Sequence, residues 1–163
     1  MGECGLDGTI VTPLAQQVPF FKAQLALAAE RSLPVIVHAH GAHNEVLQCL
    51  KAQPRLCGGV IHGFSGSPEL ALQYWRQGFS VGVGGTITYE RAKKTRRAIE
   101  QLPWEALLLE TDAPDMPLSG HQGEPNSPLR LPEIAEALAQ LRGVEVAEVA
   151  AMTTRNTRRV FGF

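Results

Sequence analysis

Short apolar runs alternate along the chain with longer segments of helical periodicity. Four of these runs are predicted strands, each followed by a polar residue or a glycine. They cover residues 34–37, 59–61, 79–83 and 107–109. Strands that alternate with helices predict an α/β fold with a parallel sheet and right-handed crossovers.

Amphipathic segments fill the gaps between the predicted strands and follow the last one. The segment 67–78 has clear helix start and stop signals, because Ser67 is a good N-cap, Pro68 suits the first helical position and Gly78 closes the helix. The other predicted helices cover residues 14–31, 42–53, 89–102, 132–141 and 146–159.

Chemically useful residues recur where the predicted strands end. His38, His62 and Asp112 each follow an apolar run, at intervals of about one or two β/α units. The C-terminal ends of the strands form the active-site rim of a (β/α)8 barrel. An open doubly wound sheet would use the same ends, but Gly82, Gly84 and Gly85 do not form a GxGxxG loop.

Composition restricts the setting of this fold. The chain has 163 residues and 44% hydrophobic content, which predicts a single domain over residues 1–163. Its net charge of −1 gives no global attraction to nucleic acid or membrane. Three cysteines without a CxxC spacing predict neither a disulfide framework nor a zinc knuckle, and a reducing cytoplasm is the simplest setting. The start of the chain lacks the features of a signal peptide, and we expect no membrane insertion.

Two histidines and a carboxylate at separate strand ends can converge on one point. Taken singly, His38 or His62 could be a satisfied polar group after a buried strand. Together with Asp112 they favour a divalent-metal centre, because imidazole and carboxylate suit zinc, manganese or magnesium.

Several motifs resemble those of one family. Gly2-Glu3-Cys4-Gly5-Leu6-Asp7 resembles the GEIGLD signature of the TatD family, with Cys4 in place of isoleucine. Other segments similar to that family's motifs follow in order: Leu33-Pro34-Val35-Ile36-Val37-His38, His62-Gly63-Phe64-Ser65-Gly66, Gly82-Val83-Gly84-Gly85-Thr86-Ile87-Thr88-Tyr89, Leu109-Glu110-Thr111-Asp112-Ala113-Pro114 and Asn126-Ser127-Pro128.

The resemblance implies a (β/α)8 TIM barrel of the metal-dependent hydrolase superfamily. It also implies two metal ions (Mg, Mn or Zn) that cleave phosphodiester bonds of DNA with activated water. Glu3 would bridge the two ions and end a strand, His38 and His62 would hold the second ion, and Asp112 would bind the first and handle the proton.

The sequence also departs from the family. No HxH pair precedes Glu3, so we expect the chain to bind at most one ion tightly. His40 stands where the family has arginine, and it is either a substrate-phosphate contact or a rim-facing histidine. Asn126 and His121 are candidates for substrate contact or for bracing their loop, and Glu110 for orienting a metal-bound histidine or for ordinary buried hydrogen bonding.

Length is the larger departure, since a complete barrel takes about 250 residues. We expect an N-terminally truncated barrel, a C-terminal portion with about half to two-thirds of the fold present. Its open edges favour self-association. The leading hypothesis is a TatD-type deoxyribonuclease. The alternatives are an amide or ester hydrolase of the same superfamily and a non-catalytic remnant that binds one metal or a partner.

Overall fold

The computed structural model describes residues 1–163. It contains one parallel sheet whose five strands lie side by side in chain order, β1-β2-β3-β4-β5. The strands are β1 (Cys4–Asp7), β2 (Val35–His40), β3 (Gly59–Ile61), β4 (Phe79–Val83) and β5 (Leu107–Leu109). A doubly wound sheet reverses its strand order at a switch point, so this unreversed order is that of a barrel segment.

Six α-helices connect or follow the strands. They are α1 (Leu14–Glu30), α2 (His43–Lys51), α3 (Pro68–Arg76), α4 (Lys93–Gln101), α5 (Leu131–Arg142) and α6 (Val146–Phe161). The Ser67 hydroxyl accepts a hydrogen bond from the Leu70 amide at the start of α3, which confirms the predicted cap. None of the helices combines the length and the apolar content needed to cross a bilayer.

The number of strands differs from the prediction of four. The additional strand, β1, has only Cys4 and Leu6 as buried side chains and contains no β-branched residue. It forms because it pairs with β2, with Gly5 opposite His38 and Asp7 opposite His40. Whether a segment forms a strand depends on such pairing as much as on its local sequence.

Two predicted strand boundaries were also wrong. Glu3 was expected to end a strand, but it lies directly ahead of β1. His38 was expected to follow a strand, but β2 continues through it to His40 because the partner strand β1 reaches as far as Asp7.

Side chains alternate between the two faces of the sheet, so core residues lie on one face and candidate site residues on the other. Cys4, Leu6, Val35 and Val37 are at most 7% exposed and pack in the hydrophobic core. Because successive side chains of a strand point to opposite faces, His38 and His40 project from the other face of β2. Their partners in β1, Gly5 and Asp7, share that face.

Candidate metal centre

Three donor atoms from three places in the sequence meet on this second face. Oε1 of Glu3 lies 2.9 Å from Nε2 of His62 and 3.3 Å from Nδ1 of His38. The two histidine nitrogens lie 3.0 Å from each other. Glu3 lies at the N-terminal boundary of the edge strand β1, His38 is in β2, and His62 follows β3.

These separations fit one shared cation. Ligand atoms about 2.1 Å from an ion lie about 3.0 Å apart in octahedral and about 3.4 Å apart in tetrahedral geometry. The donor set of two imidazoles and one carboxylate suits zinc or manganese. Glu3, His38 and His62 therefore form a candidate metal site.

The remaining ring nitrogens face carboxylates, as they do in many metal-binding histidines. Nε2 of His38 lies 3.0 Å from Oδ2 of Asp7, so a proton on Nε2 leaves Nδ1 free as a ligand. Nδ1 of His62 lies 3.5 Å from Oδ1 of Asp112, on the side away from Glu3.

Asp7 is itself held in place by its neighbours. Its Oδ1 accepts hydrogen bonds from the amide and the hydroxyl of Thr9, and these bonds and the contact with His38 hold the pKa of Asp7 well below its usual range. Asp7 is not among the site residues predicted from the sequence. No local signal marks it, because only the pairing of β1 with β2 brings Asp7 close to His38.

Asp112 lines the same cavity but lies outside the three-donor cluster. Its φ of 58° is in the left-handed region, which is uncommon for residues other than glycine and is enriched at functional sites. The contact with His62 suits a carboxylate that orients this histidine. The ligand role implied by the resemblance stays a prediction.

The cluster opens into a cavity of about 490 Å³. Eleven residues line it: His38, Ala39, His40, His43, His62, Gly63, Ser65, Thr86, Asp112, Asp115 and Met116. A groove of about 570 Å³ between α5 and α6 is slightly larger, but its lining contains neither histidine nor carboxylate. The smaller cavity, which is lined by His38, His62 and Asp112, is therefore the candidate site.

His40 and His43 lie at the rim and in the wall of this cavity. His40 is exposed, and its Nδ1 lies 3.8 Å from Oδ2 of Asp7, which leaves the ring accessible to a substrate. Nδ1 of His43 lies 2.9 Å from the hydroxyl of the buried Tyr74, and burial lowers the pKa of His43. His43 is not among the site residues predicted from the sequence, because nothing in its local pattern distinguishes it from a surface helix residue.

The loop candidates have structural contacts. The side-chain amide of Asn126 is buried and donates to the carbonyl oxygens of Thr111 and Met116. Asn126 does not line the cavity, so its contacts favour bracing over the substrate contact that was the other expectation. His121 likewise lies outside the cavity, with its ring nitrogens 3.3 Å from Glu124 and 3.2 Å from Glu133.

Glu110 follows β5, and its side chain reaches Gly63 in the cavity lining. Its Oε1 accepts a hydrogen bond of 2.5 Å from the Gly63 amide, next to His62. Burial raises the pKa of Glu110, while the Gly63 amide and His62 act in the opposite direction.

Comparison with known proteins agrees with the motifs. A family model described as TatD related DNase matches residues 1–162. The chain is 45% identical to an uncharacterized metal-dependent hydrolase of Haemophilus influenzae over 99% of this chain and 63% of the relative. It is 41% identical to the 3'-5' ssDNA/RNA exonuclease TatD of Erwinia amylovora, over 99% of this chain and 65% of that protein.

Solved structures give the same result for the fold. The crystal structure of YjjV, a TatD homolog from Escherichia coli, matches with a TM-score of 0.93 at 44% identity, over 99% of this chain and 63% of that one. A TatD family hydrolase from Entamoeba histolytica matches with a TM-score of 0.84 at 20% identity, which supports the TIM-barrel fold alone. The chain thus spans somewhat less than two thirds of the relatives it matches.

Proposed function

Because the chain belongs to the family of TatD related DNases, we propose that it carries the metal-binding part of a hydrolase that cleaves phosphodiester bonds of DNA. The observation that supports this most directly is the cluster of Glu3, His38 and His62, whose donor atoms lie 2.9 to 3.3 Å apart. The Erwinia relative, named as an ssDNA/RNA exonuclease, supports a nucleic-acid substrate.

A divalent ion held by Glu3, His38 and His62 would supply Lewis-acid chemistry, which polarises a phosphoryl oxygen and lowers the pKa of water. The residues around the ion would orient its ligands, accept a proton and contact the substrate. Asp7 fixes the ring of His38, and Asp112 lies on the cavity side of His62, where a carboxylate can accept a proton. His40, exposed at the rim, would contact the substrate phosphate where the family has arginine.

We further propose that the chain binds one ion tightly. A single cluster of three donors is present, and Asp112 is directed at His62 from outside it. That the chain is the C-terminal portion of a longer barrel stays a prediction, as does its cytoplasmic location.

The test combines metal titration with hydrolysis assays. We expect calorimetry with Mn²⁺ or Zn²⁺ to give one tight site in the natural chain, and His62→Ala to weaken it by at least about tenfold because a direct ligand is lost. His121→Ala is the matched control, since this histidine lies outside the cavity. Two tight ions per chain would contradict the single-site proposal, and equal affinity of both variants would remove His62 from the site.

Labelled single-stranded DNA and simple carboxylic ester and amide substrates distinguish the functions. Metal-dependent release of nucleotides that is lost in His62→Ala supports the phosphodiesterase. Hydrolysis of only the carbonyl substrates would assign the amide or ester activity, and tight metal binding without any hydrolysis would support the non-catalytic alternative.

A further inference from the structure

The side chain of Glu110 crosses two neighbouring strands. Its backbone amide donates to the carbonyl oxygen of Val83 in β4, as expected for the residue that follows β5. Its carboxylate passes over β4 and accepts the hydrogen bond from the Gly63 amide just beyond β3. One residue, through its backbone and its side chain, therefore connects the ends of three strands.

This path requires a glycine in β4. A Cβ atom placed on Gly82 would overlap all three atoms of the Glu110 carboxylate group. Gly82 is buried, and its φ is not in the left-handed region, so the glycine is needed for space. A Cβ on Gly84 would lie 3.6 Å from the Glu110 side chain, which is an ordinary contact.

The far end of this connection is the residue next to His62. Gly63 has a φ of 56°, and its amide is fixed by the bond to Glu110. The Gly63 amide is bonded to the peptide carbon of His62, so its direction constrains the His62 backbone. His62 in turn must place Nε2 close to Glu3 and His38.

We propose that Glu110 is a positioning residue, held in a slot made by Gly82, that fixes the Gly63 amide and thereby aims His62 at the metal. This inference rests on the proposed metal site. Burying a carboxyl group is costly unless it forms hydrogen bonds, and positions near a metal ligand are where such a bond affects affinity by about 10 to 100-fold.

The test measures Co²⁺ binding to the purified chain, with absorption spectra as a report on coordination geometry and Zn²⁺ competition for affinity. We expect Glu110→Ala to weaken affinity by about 10-fold or more and to change the Co²⁺ spectrum. Glu110→Gln should restore both, because the amide oxygen of glutamine can still accept the Gly63 bond. Glu110→Asp should not, because its side chain is one methylene too short.

Gly82→Ala is the independent variant, since it disturbs the carboxylate without changing Glu110. It should reproduce the loss seen in Glu110→Ala, while the matched variant Gly84→Ala should bind as the natural chain does. In the double variant Glu110→Ala with Gly82→Ala the two effects should be less than additive, because the alanine methyl then occupies vacated space.

The outcomes are distinguishable. If the natural chain binds Co²⁺ and Glu110→Ala leaves the affinity and spectrum unchanged, the positioning role is overturned while the metal site stands. Equal losses in Glu110→Ala and Glu110→Gln would overturn the hydrogen-bond explanation. No Co²⁺ binding by the folded natural chain would overturn both this inference and the proposed function. Should Glu110→Ala not fold, the comparison of Glu110→Asp with Glu110→Gln decides.

Discussion

The residues around the metal centre show how burial sets the chemistry of a single side chain. His43 lies beside Tyr74 in the cavity wall, and burial lowers its pKa from the ordinary value of 6.5. The Ser65 backbone acts in the opposite direction, and the charges of His40 and Lys94 lower the pKa further. A histidine kept neutral in this way can act as a hydrogen-bonding partner near neutral pH without adding charge to the cavity.

This lowered pKa predicts a pH dependence of stability. The unfolded chain binds a proton at His43 more readily than the folded chain does. The contribution of neutral His43 to stability is therefore present above pH 6.5 and is lost as the pH falls from there through the pKa of the folded state. We expect the free energy of unfolding in urea to fall less between pH 7 and 5 in His43→Asn than in the natural chain. Tyr74→Phe should keep the natural slope, because burial is the main cause. Equal slopes in His43→Asn and the natural chain would contradict the prediction.

Some of the candidate site residues could be predicted from the sequence. His38 and His62 could be predicted because each follows an apolar run that is itself a strand signal. Asp7 could not, because its contact with His38 depends on the register that sets Asp7 opposite His40. Register is a property of two strands and leaves no mark in either one alone.

At the scale of elements, the close approach of β1 to β2 depends on a residue without a side chain. A Cβ on Gly5 would overlap the carbonyl oxygen of His38, which is in the partner strand. Gly5→Ala should therefore lower the free energy of unfolding by about 1–3 kcal/mol, as overpacking does. It should also weaken metal binding, because it moves Glu3 away from His38. Urea unfolding and calorimetry measure the two effects.

The control for this prediction is Gly2→Ala. Gly2 is exposed, and a Cβ there has no atom within 4 Å, so stability and affinity should be unchanged. Natural stability in Gly5→Ala would show that β1 can shift without cost.

The elements themselves divide by how much local sequence specifies them. The helix α3 could be predicted with its cap, because Ser67 and Pro68 act within one turn. The strand β1 could not, since Cys4-Gly5-Leu6-Asp7 contains no β-branched or aromatic residue and becomes a strand through its pairing with β2.

At the scale of the whole molecule, the sheet has two edges. The strands β1 and β5 each have a neighbour on one side only, and several large apolar side chains are exposed, among them Val11, Phe20, Leu129 and Phe163. Unpaired strand edges and exposed apolar groups favour association between copies.

We therefore expect the purified chain to self-associate. Sedimentation equilibrium between about 1 µM and about 1 mM should give an average mass that rises above 17.6 kDa with concentration. Phe20→Gln should reduce the rise, because Phe20 is 74% exposed and contributes contact area without supporting the core. A constant mass of 17.6 kDa over the whole range would contradict this expectation.

The position of Glu3, next to an edge strand, has a consequence for the metal. Strands at an edge detach locally more easily than central ones, and a detached β1 removes the carboxylate while leaving both histidines in place. Ion binding and docking of β1 are then linked equilibria, and the measured affinity is reduced by the fraction of molecules in which the strand is detached. A bound cation would hold β1 against the rest of the sheet. Weak ion binding by this protein would therefore indicate a detached β1 before it indicated an unsuitable set of ligands.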